Sequence, residues 1–105
     1  MILSTITLHL MSNWWRDVRD GKKRVEYRAN TPYWRKRLEG KDYQCARIML
    51  GYDAGMTLVF EVVKIELTRE KNDLNLPECW AVRLGKKIEN YRVGANGQIE
   101  VSDEH

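Results

Sequence analysis

Alternation with a period of two runs through most of this chain, and helical spacings interrupt it only near the start. In Ile2 to Leu10, residues Ile2, Ser4, Ile6, Leu8 and Leu10 fall on one side of an extended segment, which predicts a first strand. Ser12 or Asn13 then caps a predicted helix from Trp14 to Asp20 that Gly21 ends. Trp14, Trp15 and Val18 lie at helical spacing on it, so at least one tryptophan is expected to anchor it on a sheet. Lys23 to Arg28 reads as a second strand. Thr31-Pro32 opens a second short helix through Leu38, because threonine caps and proline suits a first turn. Trp34 and Leu38 share one face of that helix.

Beyond Gly40 the pattern is entirely that of strands and turns. Gln44 to Tyr52 reads as a strand ended by a turn at Asp53-Ala54-Gly55, and Thr57 to Thr68 as a long strand with apolar groups on both parities. Such a strand is buried on both faces or curls within a barrel. Arg69 to Asn75 is a polar connector with room for a helical turn, followed by a strand at Cys79 to Leu84, a turn at Gly85-Lys86-Lys87 and a last strand at Ile88 to Val93. Gly94 to Gly97 makes a further turn, and Glu100 to His105 reads as loose. Two helices are too few to cover a doubly wound parallel sheet. The expected class is α+β: a small, curved or closed, mostly antiparallel β-barrel with two short helices near the N-terminus. The expected domain is 1–93, with 94–105 a turn and a loose acidic tail.

Composition narrows the class without changing it. At 105 residues, 43% apolar and 31% charged, the chain has the length of one domain and is neither disordered nor fibrous. No window approaches the roughly 20 apolar residues of a membrane helix, and Met1 to Met11 lacks the basic start and cleavage site of a secretory signal. A cytoplasmic location with no membrane partner is therefore expected. Cys45, Cys79, His9 and His105 do not share a zinc-like spacing, so the expectation is no metal, no cofactor and reduced structural thiols. Charge is less even than the total suggests. Between Arg16 and Lys41 stand ten basic against four acidic residues, a local balance of +6 in a chain of net +3, which leaves the remainder at −3. Concentrated cations beside aromatic rings suit a polyanion with unpaired bases.

The candidate chemistry lies in Gly21-Lys22-Lys23-Arg24-Val25-Glu26-Tyr27-Arg28. On a strand Arg24, Glu26 and Arg28 share a face, Val25 and Tyr27 take the other, and a carboxylate between two guanidinium groups holds either of them in a defined direction. The bland alternative is a solvated strand face with local ion pairs. For a binding module, Lys23, Arg24 and Arg28 would contact phosphate, Tyr33 or Trp34 would offer a stacking face, and Glu26 would orient Arg28 or accept from an exocyclic amine. Arg35 and Arg37 extend that basic set. For an enzyme, Lys23 would need to lose its proton beside neighbouring cations, Glu26 would serve as general base, and His9 is a candidate acid. A third possibility is a basic face for an acidic protein, with Trp14, Trp15 and Trp34 as exposed anchors.

The same run matches the Gly-x-Lys-x-x-Glu-x-Arg signature of the ASCH domain, a PUA-like family, with all four positions filled by Gly21, Lys23, Glu26 and Arg28. Thr31-Pro32-Tyr33-Trp34-Arg35-Lys36-Arg37-Leu38 is similar to the segment that follows the motif in small bacterial and phage members, and the resemblance spans roughly residues 1 to 93. It implies a β-barrel with a basic cleft that binds RNA, another single-stranded nucleic acid or a modified nucleoside. One branch of the family resembles N4-acetylcytidine hydrolases in which the signature lysine, matched here by Lys23, is catalytic. That branch has a threonine where this chain has Glu26, so its nucleophile does not carry over. Another relative is described as a ribonuclease. The resemblance thus puts RNA binding first and hydrolysis second, with no statement on oligomeric state.

Overall fold

A computed structural model describes residues 1–102. Among the described residues, eight strands and two helices follow in the order β1 (Ile2–Leu3), β2 (Thr5–Leu10), α1 (Ser12–Arg19), β3 (Val25–Ala29), α2 (Pro32–Leu38), β4 (Cys45–Leu50), β5 (Asp53–Thr68), β6 (Cys79–Lys87), β7 (Arg92–Val93) and β8 (Ile99–Glu100). Five strands form a curled half-barrel in the order β2-β4-β5-β6-β3, and three form a small sheet in the order β1-β8-β7. The class is α+β with strands predominating. Every pairing is antiparallel except β2 with β4. Hydrogen-bonded pairing leaves β2 and β3 as the two edges, so the large sheet curls without closing.

The curl creates two cores on opposite faces of one sheet. Ile6, Leu8, Leu10, Ala46, Ile48, Leu58, Phe60, Trp80, Val82 and Leu84 face the concave side, where Trp15 and Val18 of α1 and Leu38 of α2 pack onto them. Cys45 and Val59 face the convex side and meet Leu3 and Ile99 of the small sheet. Leu58, Val59 and Phe60 are consecutive and all buried, as a strand covered on both faces requires. Each fully buried aliphatic side chain contributes about 1.5–3 kcal/mol, so both faces matter to stability.

Several boundaries differ from the expectation. The first strand is broken at Ser4, whose N–H donates to Gln44 Oε1 at 2.9 Å; the chain leaves the small sheet there and enters the large one. Helix α1 is preceded by Met11 with no side-chain cap, while Thr31 caps α2 as expected, its Oγ1 accepting from the Trp34 N–H at 3.2 Å. The turn after β4 lies at Gly51–Tyr52, with Gly51 at φ 55°, so Asp53-Ala54-Gly55 already belongs to β5. Gly85-Lys86-Lys87 continues β6 instead of turning, the Ile88 N–H donates to the Val59 carbonyl at 2.8 Å, and the expected last strand is reduced to Arg92–Val93.

The segment after Gly94 is not loose through Val101. Ile99 is fully buried, its N–H donates to Thr5 Oγ1 at 3.0 Å, and the Val101 N–H donates to the Met1 carbonyl at 2.9 Å. Two apolar residues in an acidic stretch carried that information, and burial of Ile99 outweighs the local charge. The rest of the expected tail, 103–105, lies outside the described residues. No helix among the described residues is long and apolar enough to cross a membrane.

Candidate functional site

Gly21 sets where the signature begins. It sits at φ 77° just past α1, with its N–H donating to the Val18 carbonyl at 3.2 Å and the Lys22 N–H to the Asp17 carbonyl at 2.9 Å. This is a Schellman ending, which needs a residue at ease with positive φ. The Lys23 N–H also donates to the Asp17 carbonyl at 3.1 Å, so the turn fixes the backbone from which Lys23 projects.

Strand β3 then inverts the simplest reading of its alternation. Glu26 pairs with Val82 and Arg28 with Trp80 across the ladder, and side chains of directly opposed residues lie on the same face. Val82 and Trp80 belong to the concave core, so the charged parity points inward. Glu26 is only 2% exposed. Its Oε2 accepts from Arg28 Nη2 at 2.6 Å, and Lys23 Nζ stands 3.4 Å from its Oε1. Arg24, one of the two guanidinium groups expected beside it, is exposed at the mouth of the strand and donates from Nη1 to the Gly85 carbonyl at 3.3 Å.

Arg28 also spans the open side of the half-barrel. Its Nη2 donates to the His9 carbonyl of β2 at 3.1 Å, linking the two edge strands through a side chain. Its guanidinium lies 4.8 Å from the Trp34 ring centroid, which places a cation on an aromatic face. The Nε of Arg28 is buried and has no hydrogen-bond partner.

Lys23 is surrounded by carboxylates and rings. Asp73 Oδ2 accepts from its Nζ at 2.5 Å, and the Tyr27 and Trp14 ring centroids lie 5.2 and 5.8 Å away. Asp73 was missed in the sequence because its loop reads as a polar connector. What builds the loop is Asn72, buried, whose Nδ2 donates to the Glu70 and Leu76 carbonyls and whose Oδ1 accepts from the Leu74 and Leu76 N–H groups. Asparagine side chains organise loops in this way. Asn72 was the available signal.

A cleft of about 240 Å³ opens over this cluster, lined by Leu10, Met11, Trp14, Glu26, Tyr27, Arg28 and Leu74 among others. It is smaller than the roughly 300 Å³ at which pockets for drug-sized ligands begin, so it suits a group the size of one base. Lys23 and Arg28 against Glu26 and Asp73 make the cluster formally neutral. The basic cleft implied by the resemblance is thus a charge-balanced one, with the unbalanced cations around it.

Tyr33, Arg35 and Arg37 lie outside the cleft, whereas Trp14 and His9 line it. The first three are on the exposed side of α2, where the Arg37 guanidinium lies 3.5 Å from the Tyr33 ring centroid. Trp15 is buried and Trp14 and Trp34 are half-buried against the core, so the three tryptophans are not exposed anchors. His9 directs its imidazole elsewhere. Its Nδ1 lies 2.6 Å from the Gly51 carbonyl, an acceptor, so Nδ1 donates, and the ring packs 4.2 Å from Tyr52. That role is structural. On the outer parity, burial first and the Glu70 hydrogen bond second push the Tyr27 phenol up to about 12. Arg83 bonds both Glu66 and Glu70 and holds both carboxyls below their usual range.

Compared with protein-family models, with curated proteins and with solved structures, the chain matches none.

Proposed function

We propose that this protein is an ASCH-like, nucleic-acid-binding module that takes one unpaired base of an RNA strand into the Glu26 cleft. The observation that carries the reading is a buried carboxylate, held by Arg28 and Lys23, lining a base-sized cleft with Trp14 and Leu74. A carboxylate offers roughly four lone-pair sites, and each oxygen of Glu26 faces one cation, which leaves acceptor capacity for the exocyclic amine of cytosine or adenine. Trp14 supplies a flat wall for stacking, and the exposed cations Lys22, Arg24 and Arg35 supply phosphate contacts outside.

Hydrolysis is the second reading. It is favoured by Asp73, a partly exposed carboxylate beside Lys23 that is placed to take a proton from water. Binding ranks first because Glu26 stands where the acetylcytidine branch has its threonine nucleophile. Lys23, moreover, has carboxylates as its nearest charged neighbours, not the crowd of cations that the enzyme reading expects.

The test is a titration of unstructured oligocytidylate and oligouridylate followed by fluorescence anisotropy. The reading predicts tighter binding of oligocytidylate, a preference abolished in Glu26→Gln, and a loss of about 1–3 kcal/mol in Trp14→Leu. Equal affinity for the two oligomers in the parent protein refutes the base-reading role of Glu26. Turnover of N4-acetylcytidine that Lys23→Ala abolishes would put hydrolysis first.

A further inference from the structure

A second cleft, on the other side of Lys23, has the chemistry of a nucleotide site. It is about 580 Å³ and is lined by Val18, Phe60 and Leu84 at its apolar base and by Arg19, Asp20, Gly21, Lys23, Arg24, Lys86 and Lys87 around it. That volume falls in the roughly 300–1,000 Å³ range of small-molecule pockets.

Its charge is not balanced as in the Glu26 cleft. Asp20 is the one carboxylate among the lining residues, and Arg19 holds it through two hydrogen bonds of 2.9 and 3.3 Å. Lys23 is committed to Glu26 and Asp73. Lys87 lies 3.5 Å from the exposed Glu89, while the Arg24 guanidinium donates to the neutral Gly85 carbonyl. Arg24, Lys86 and Lys87 therefore leave the cleft with surplus positive charge over an apolar base.

An irregularity in the sheet produces this grouping. The β5–β6 register runs Phe60 with Lys87, Val62 with Leu84 and Lys64 with Arg83, so the pairing shifts once at Gly85–Lys86 of β6 and again at Val63 of β5. Regular alternation would send Lys86 and Lys87 to opposite faces, yet both line the cleft together with Leu84. Bulges re-aim side chains in this way, often beside binding sites. A turn at 85–87, as the sequence suggests, would not create the arrangement.

We propose that this cleft binds a nucleotide, with its phosphates on Arg24, Lys86 and Lys87 and its base against Val18, Phe60 and Leu84. The ligand is either a free nucleotide or the 5′-phosphorylated end of a strand. The test is ¹H–¹⁵N NMR titration of the full chain at low salt with ADP, inorganic pyrophosphate and a 5′-phosphorylated oligonucleotide. ADP is expected to produce saturable shifts at the amides of Gly21, Arg24, Gly85, Lys86 and Lys87. It should bind roughly tenfold tighter than pyrophosphate, since the base adds apolar contact. Lys86→Ala/Lys87→Ala should weaken ADP by roughly tenfold or more, whereas Lys41→Ala, at an exposed cation that lines neither cleft, should change it by less than about twofold. Displacement of ADP by the oligonucleotide assigns the strand end, and failure to displace assigns the free nucleotide. Equal affinity for ADP and pyrophosphate overturns the nucleotide assignment, and absence of saturable shifts at these amides up to about 5 mM overturns the site. Because the readout is local to Gly21 and Gly85–Lys87, it stands or falls separately from base binding at Glu26.

Discussion

Glu26→Gln tests the structure most directly, because it removes one charge and almost no volume from a buried cluster. Stripping one partner from a fully buried ion pair costs about 3–5 kcal/mol, since the other charge is left uncompensated. Here the loss is smaller. Arg28 keeps the His9 carbonyl and the Trp34 ring, Lys23 keeps Asp73, and their side chains remain 20% and 11% exposed. About 2 kcal/mol is the expected destabilisation. At about 4–8 °C per kcal/mol for a domain of this size, Tm should fall by roughly 8–16 °C in a thermal melt followed by circular dichroism. Glu61→Gln, on an exposed position of β5, should stay within about 0.5 kcal/mol of the parent. Glu26→Gln combined with Arg28→Met should be less destabilised than the sum of the two single variants, because no orphan charge remains. A Glu26→Gln protein within 0.5 kcal/mol of the parent, as judged against about ±0.5 kcal/mol for surface changes, would refute the inward orientation of the charged parity.

Asn72→Ala should cost about 2–3 kcal/mol in urea denaturation and speed amide exchange at Leu74 and Leu76, because its side chain closes that loop with four hydrogen bonds. Ile99→Ala should cost about 2–5 kcal/mol by the same denaturation, since Ile99 is fully buried between the sheets; a loss under about 0.5 kcal/mol would mean the C-terminal strand is not part of the core. Tyr27 has its folded-state value raised to about 12 from 10.0, so its contribution is complete below pH 10 and is lost as pH rises through 12. Tyr27→Phe should therefore lose less stability than the parent between pH 10 and 12, and parallel curves for the two proteins would contradict that assignment.

Local features of the chain reported themselves well. The Thr31-Pro32 start, the Gly21 stop, the strand cores around Ile6–Leu10, Ile48 and Val82, and the two-faced burial of β5 all rest on residue chemistry within a few positions. The grouping of Lys23, Glu26 and Arg28 was also readable, since the three fall in one short run and their ion pairs bring them together. Less was readable of their surroundings. Arg24, Arg35 and Arg37 share the charge cluster in sequence, yet they stand outside the cleft, because Arg24 precedes the start of β3 at Val25 and Arg35 and Arg37 lie on the exposed side of α2. Asp73 enters from a loop fifty positions away, and nothing near either residue announces the meeting.

By itself, then, the sequence determined the strand-rich class, the two early helices, the ends of those helices and the short list of charged residues worth testing. Each follows from periodicity or capping, which act over one or two turns of chain. Only the tertiary structure decided which face of β3 is inside, that the C-terminal Ile99 completes a second sheet, and that Lys86 and Lys87 turn to one cleft. Those outcomes depend on register. A shift of one residue exchanges the two faces of a strand, and the register of β3 and β6 is set by partners far along the chain. The charged parity of β3 turns inward because Glu26 and Arg28 satisfy each other there, and the Arg28 guanidinium reaches across to bond the free edge of β2.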